Sequence, residues 1–387
     1  MSKFGSLSNG SMSMMSSRGG GSSSRGKSNL AVNIGQNNEM CLMAGRKETF
    51  ANDPQMTFPG QGVVRPNLIA GREDGRKIIL KLLENSSDQF ELGAYGYGKN
   101  NVKLLYVRRE NALRHEIREY EIDVHLRLST QKDYLVGDNR DIIATDSQKN
   151  TVYLMAKKHG VKSPEEFAII LCSHFLYQYR HVEEVNVRVE EYPWSRHEVN
   201  GVSHNHAFVF TPTATRYCQV TQLRNESPRI RGGLKNLRVL KTTQSSFTDF
   251  IQDDYRTLPD ANDRIFSTVV TASWDFSTAS GVDFDAVWRT VKNCILENFA
   301  GPPVSGVYSP SVQNTLYLAE RGVLSKVDQI FSIEMQMPNK HYFDIDLSKF
   351  SKLVPTENKE VYLPMDKPSG IIYAQLNRKD FNTRSKL

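Results

Sequence analysis

The chain has 387 residues, 39% of them hydrophobic and 24% charged, which is enough apolar material for a core of two or three domains. Its strongest apolar run, Phe167 to Cys172, is far short of the ~20 residues a membrane-spanning helix needs, so no membrane association is expected. The net charge of +6 comes from 49 basic and 43 acidic residues mixed along the chain, a balance that gives no basic patch for nucleic acid but suits a small anionic substrate. Four cysteines, Cys41, Cys172, Cys218 and Cys294, are widely spaced with no CxxC pair, which argues against a disulfide scaffold or a zinc ribbon. Cys172 and Cys294 sit among apolar residues at helical spacing and are read as core.

The first 28 residues hold eleven Ser and six Gly and no acid. They lack an apolar h-region, so no secretory signal is expected, and a flexible tail is expected in preference to a transit peptide. Residues 29–90 show little period beyond a short helical pattern at Lys77 to Leu83. From about residue 95 the texture changes. Val102 to Arg108 reads as a strand. Tyr120, Ile122, Val124, Leu126 and Leu128 then alternate with polar residues, the period of a half-buried strand. A helix is expected over Ser147 to Lys158. A second opens at Ser163-Pro164-Glu165-Glu166, a capping box with proline at the first helical position. Phe167, Ile170, Leu171, Phe175 and Leu176 mark its buried face. Strands follow at Val185 to Val189, Asn205 to Phe210 and Arg216 to Leu223.

The order then repeats. Leu237 to Thr243 and Ile265 to Phe276 read as strands, Phe284 to Phe299 and Ser309 to Gly322 as helices. Ile333, Met335 and Met337 alternate with polar residues, and Tyr342 to Leu347 and Ile371 to Leu376 close the set. Strand-strand-helix-helix-strand-strand, twice, argues for an α+β fold built by duplication. The seam falls near Ser227 to Gly233. One local similarity, Lys149 to Leu154 against Gln313 to Leu318, is weak.

No P-loop, G-x-G-x-x-G, G-x-S-x-G or H-E-x-x-H occurs, which removes the commonest nucleotide, hydrolase and zincin readings. Tyr97-Gly98-Lys99 places a lysine beside a glycine, either as a solvated loop or as a base near a ligand. In Ala144-Thr145-Asp146-Ser147, Thr145 or Asp146 is expected to cap the following helix; the alternative is a hydroxyl and amides offered to an anion. Arg264 enters a strand, a costly placement unless it meets an anion. Phe247 suits a core or a flat ring. His204 and His206 share a strand face that could hold a metal, but no third ligand is evident, so structural histidines are expected. Asn339 and His341 share a strand face and could hold a water or a small molecule.

From about Tyr95 onward these residues converge. The stretch L-x-V-L-K-T-T-x-S-x-F-x-x-F-x-x-x-x-Y-x-x-L-x-x-x-x-x-R from Leu237 to Arg264 resembles the signature of the urate oxidase (uricase) family. Tyr97-Gly98-Lys99, Ala144 to Ser147, Ser309 to Gln313 and Pro338 to Phe343 carry the same resemblance, which spans about 290 residues. It implies an α+β tunnelling fold: a tandem of two antiparallel ββααββ units with helices on one face, closed into a barrel as a homotetramer with active sites at subunit interfaces. Residues 1–90 would be an N-terminal extension, 91–230 the first unit and 231–387 the second. The implied reaction converts urate, O2 and water to 5-hydroxyisourate and hydrogen peroxide with no metal and no organic cofactor.

The resemblance also implies roles. Arg264 and Gln313 would clamp the purine edge, Phe247 would stack on the ring, and the Val312 amide would complete the hydrogen bonds. Thr145 and Asp146 would come from a neighbouring subunit. Lys99, Thr145 and His341 would relay protons, with Asn339 holding O2 or the attacking water. Finally, Ser385-Lys386-Leu387 reads as a peroxisomal address for an import receptor. A peroxide product suits that compartment.

Overall fold

The computed structural model describes residues 90–379. The Ser/Gly tail, Cys41, the pattern at Lys77 to Leu83 and the Ser385-Lys386-Leu387 tripeptide lie outside them. Among the described residues, nine strands form one antiparallel sheet. The first repeat supplies β1 (Tyr97–Arg108), β2 (Glu116–Leu128), β3 (Val182–Glu191) and β6 (Thr215–Leu223). The second supplies β7 (Arg229–Lys241), β8 (Phe266–Phe276), β9 (Ile330–Asp344), β10 (Tyr362–Met365) and β11 (Ile371–Asn377). The sheet order is β1-β2-β3-β6-β7-β8-β9, with β10 and β11 both pairing β9. Helices α1 (Thr145–His159) and α2 (Pro164–Gln178) connect β2 to β3, and α3 (Phe284–Ala300) and α4 (Val312–Lys326) connect β8 to β9. The ββααββ order therefore appears twice. None of the described helices is long and apolar enough to cross a membrane.

The alternation in sequence becomes the core. Tyr120, Ile122, Val124, Leu126 and Leu128 on β2, and Val185, Val187 and Val189 on β3, are all buried on the face the helices cover. Each large side chain so buried contributes ~1.5–3 kcal/mol. The capping box forms as expected, with Ser163 Oγ accepting from the Glu166 amide at 3.2 Å. On α2, Phe167, Leu171, Phe175 and Leu176 are buried, while Ile170 lies half-buried at the flank. Cys172, Cys218 and Cys294 are buried free thiols.

The two repeats meet at the turn between Leu223 and Arg229. Gly232 and Gly233 belong to β7, not to a connecting loop, and the sheet runs unbroken across the turn before Arg229. Aromatic rings explain both glycines. A Cβ at Gly232 would lie 2.7 Å from Trp274 Nε1, and one at Gly233 2.2 Å from Tyr217 Cζ. A buried charge network also crosses the seam. Arg216 on β6 donates to Glu165 on α2 at 2.6 Å and to Asp285 on α3 at 2.5 Å, while Arg118 on β2 pairs with Glu191 and Asp285. Burial drives the Glu165 carboxyl up to about 7 against the pull of Arg216.

Four other elements depart from expectation. The strand expected from Asn205 is the second half of a separate hairpin, β4 (Trp194–Val199) with β5 (Val202–Phe210). β4 is exposed along nearly its whole length, so it has no apolar alternation to read. The strands expected at Ile333 and Tyr342 are one strand, β9, which passes through Pro338. Its ladder with β8 holds one register from Thr271–Gln336 to Thr268–Asn339 and is interrupted near Pro338, which has no N–H to donate. Helix α4 starts at Val312 because Ser311 is its cap, accepting from the Asn314 amide at 3.1 Å, so Ser309 and Pro310 stay outside. The similar segments at Lys149 and Gln313 occupy non-equivalent helices: α1 packs on the first strand of its repeat, α4 on the last strands of its own.

Glu320 on α4 is buried at 1% exposure, with Oε1 lacking any partner among the described residues. Burial pushes its carboxyl up to about 8, opposed by a hydrogen bond from the Met335 amide. A raised folded pKa means stability fully present below about pH 4.5 and lost as pH rises through about 8. Glu320→Gln removes that loss while keeping the shape. It should match the parent at pH 4.5 and melt several degrees higher at pH 9, each kcal/mol being worth ~2–4 °C. Equal melting temperatures at pH 9 would contradict this account of Glu320.

Candidate functional site

The sequence-derived residues fall into two sets at separate places in the sheet. The first set sits where β1 begins. Lys99 pairs with Val124 and so points to the helix-covered face of the sheet. The lysine expected in a loop is therefore a half-buried strand residue. Gly98 permits this approach: a Cβ there would lie 2.0 Å from the Val124 carbonyl oxygen. Just before it, the Tyr97 hydroxyl accepts from the Ile143 amide at 2.8 Å, which fixes the approach to α1.

Neither Thr145 nor Asp146 caps α1, contrary to the sequence expectation. The cap position is Ala144, which offers no side-chain bond, and Thr145 is the first helical residue. Both side chains are exposed. The Thr145 hydroxyl is thus left over at a helix start, where backbone N–H groups are also unpaired. Asp146 accepts from Lys149 Nζ at 2.6 Å and Asn150 Nδ2 at 3.0 Å. Lys149 chiefly, and Lys99 more weakly, hold its carboxyl below the usual range. Lys99, Thr145 and Asp146 therefore form one neighbourhood of the chain.

The second set belongs to the other repeat. After β7 the chain leaves the sheet, and Phe247 makes a two-bond bridge with Ala261: its N–H donates at 2.7 Å and its oxygen accepts at 2.8 Å. The Arg264 amide donates to Ser245 O at 2.8 Å, closing this loop. The Phe247 ring is half-buried, stacked on Phe250 at 4.3 Å, with the Arg264 guanidinium 4.9 Å and that of Arg256 5.3 Å from its centroid. Arg264 makes no ion pair and no side-chain hydrogen bond among the described residues, and its Nε is buried without an acceptor. Burial lowers its pKa, the direction expected of a cation awaiting its counter-charge.

Against this wall stands the start of α4. Val312 is buried and Gln313 exposed, and as the first two helical residues both carry backbone N–H groups free of intrahelical bonds. The loop before α4 is stitched to the Phe247 loop by the Ser246 amide donating to Ser309 O at 3.2 Å and the Ser309 amide donating to Gln244 O at 2.9 Å. Asn339 and His341 follow Met335 and Met337 on the helix-covered face of β9, beyond the last core residue. Burial first, and the Arg264 charge second, hold the His341 imidazole below the ordinary histidine range. At neutral pH it is therefore neutral and able to accept a proton. The arrangement offers a flat aromatic face, an unpaired guanidinium, helix-start amides, a primary amide and a neutral imidazole. Such a group of donors suits a planar, anionic, nitrogen-rich ring.

The two sets do not meet within one chain. Five strands separate β1 from β9 along the sheet, about 25–30 Å at normal strand spacing. His204 and His206 stand apart from both, on the β4–β5 hairpin. Their rings are 4.6 Å apart, and His204 Nδ1 accepts from the Ala207 amide at 3.0 Å, a structural use. Among the described residues no group of three or more His, Cys, Asp or Glu is placed to hold a metal.

A family model described as Uricase matches residues 95–221 and 230–373. The uricase of Drosophila melanogaster is 52% identical over 322 residues, spanning 76% of this chain and 91% of that protein. The uricase of Danio rerio is 48% identical over 295 residues, spanning 76% and 97%. The crystal structure of uricase from Arthrobacter globiformis matches with a TM-score of 0.69 at 36% identity, over 75% of this chain and 96% of that one.

Proposed function

The chain belongs to the uricase family, and from that premise we propose that its two separated residue sets complete one urate site across a contact between two copies. It is an oxidoreductase acting on urate, with O2 and water as co-substrates and 5-hydroxyisourate and hydrogen peroxide as products. The observation that carries the site assignment is the unpaired Arg264 guanidinium against the Phe247 ring.

In this reading urate stacks on Phe247. Arg264 and Gln313 grip one edge of the ring, the arginine by its planar fork and the glutamine amide by a donor and an acceptor. The Val312 amide takes a further ring oxygen or nitrogen. From the neighbouring copy, Asp146 and Thr145 complete the hydrogen bonds. Ionised urate is electron-rich, so proton removal raises its reducing power towards O2. The protein's work is then to move protons and hold reactants in place. Lys99 draws a proton through the Thr145 hydroxyl, neutral His341 extends the relay, and Asn339 holds O2 or the attacking water above the ring.

The proposal extends to assembly and location. Sites shared between copies fit a homotetramer whose sheets close into a barrel. Ser385-Lys386-Leu387 would direct the chain to peroxisomes through an import receptor, confining the peroxide produced.

Arg264→Lys tests the clamp. It keeps the charge and loses the fork, so a non-reactive urate analogue should bind more weakly by ~1.5–3 kcal/mol, and urate turnover at low concentration should fall accordingly. The readouts are analogue titration and loss of urate absorbance. Undiminished analogue affinity would remove Arg264 from the site.

A further inference from the structure

Lys241 ends β7 as a half-buried residue. Its Nζ donates to Val307 O at 2.7 Å and to Ser309 Oγ at 2.8 Å. The Phe266 and Phe299 rings flank it at 5.8 and 5.6 Å. It makes no ion pair among the described residues, and burial lowers its pKa, with Asp263 opposing weakly. A methionine of similar length would be cheaper among these rings. What the amine adds is its two hydrogen bonds, and both go to the segment that leads into α4.

Ser309 is the junction those bonds secure. Its carbonyl accepts from the Ser246 amide, one residue before Phe247. Its Oγ lies 2.8 Å from Thr315 Oγ1, in the first turn of the helix that begins with Val312 and Gln313. Thr315 Oγ1 is also 3.1 Å from the carbonyl of the helix cap, Ser311. Ser246, Ser309 and Thr315 are all buried, so no water competes for these contacts. One ammonium thereby fixes both the Phe247 loop and the start of α4.

We infer that Lys241 is a positioning residue that sets the gap between the Phe247–Arg264 wall and the α4 N-terminus, and with it the affinity for the flat substrate. This rests on the urate site proposed above. Lys241 does not itself touch substrate in this account; it acts through Ser309.

The test is urate kinetics and analogue binding on Lys241→Met, Ser309→Ala and the double variant. Lys241→Met should raise KM and the analogue Kd by ~10-fold or more, the consequence of losing charged hydrogen bonds that hold the gap, with kcat changed by less than about threefold. Ser309→Ala should shift KM in the same direction by less. The double variant should be no worse than Lys241→Met alone, because both act through one contact. A purely structural lysine would lower the melting temperature and leave KM and Kd of the folded protein unchanged, and that result overturns the inference. If Lys241→Met does not fold, Ser309→Ala decides: an unchanged KM overturns, a raised KM at unchanged melting temperature supports. Arg264→Lys run alongside separates the two levels. A silent Lys241→Met with an impaired Arg264→Lys refutes only the positioning role, whereas a silent Arg264→Lys refutes the site.

Discussion

Lys99→Met is expected to lower kcat for urate oxidation by ~10²–10⁴-fold, the loss typical of a positioned general base. Analogue affinity should change by less than about threefold, because the clamp belongs to the other residue set. The substitution keeps most of the side chain's length and removes charge and basicity together. Three features of the structure motivate it. Lys99 lies on the helix-covered face of β1 where Gly98 lets the strand close on β2. The Thr145 hydroxyl at the start of α1 is not used as a cap. The Lys99 charge is near enough to act on Asp146. His341 gives the relay its pH dependence. Its lowered pKa keeps the imidazole neutral at pH 7, so protonation of His341 should cost activity below the ordinary histidine range. A Lys99→Met enzyme with parental kcat would leave Lys99 without a part in the chemistry.

Local pattern carried much of the fold into view. Strands β2 and β3 announced themselves by strict alternation, and every apolar position of that alternation is buried. The Ser163 capping box and the amphipathic α3 were equally plain, because cap and stripe act within a few residues. What stayed hidden depended on neighbours distant in sequence. β4 has no buried face to print a pattern. Gly232 and Gly233 look like a turn until Tyr217 and Trp274 occupy the space above them. Pro338 looks like a strand end, yet β9 continues because its partners change there from β11 to β10.

The site was legible as residue types and motifs, less so as geometry. Arg264 entering a strand already demanded an anion, and its guanidinium has no protein counter-charge among the described residues. Thr145 read as a cap because hydroxyls usually serve there; Ala144 takes that place, and nothing short of the backbone angles distinguishes the two. Lys241 lay in the signature stretch without a task. Its signal is three-dimensional, a half-buried amine bonded to a loop some 66 residues onward.

The central claim is that one active site draws on two copies of the chain, and co-expression of Lys99→Met with Arg264→Met tests it most directly. Each variant alone lacks one residue set and should be nearly inactive. In a mixed assembly, some sites pair the intact Lys99–Thr145–Asp146 set of one copy with the intact Phe247–Arg264–Gln313 set of another. Random equimolar mixing makes about a quarter of all sites whole. Recovery of about a quarter of parental urate turnover is the predicted result, measured on purified assemblies carrying two different tags. Mixed assemblies no more active than the separate variants would mean that each site is built within a single chain, against the separation of β1 and β9 on which the account rests.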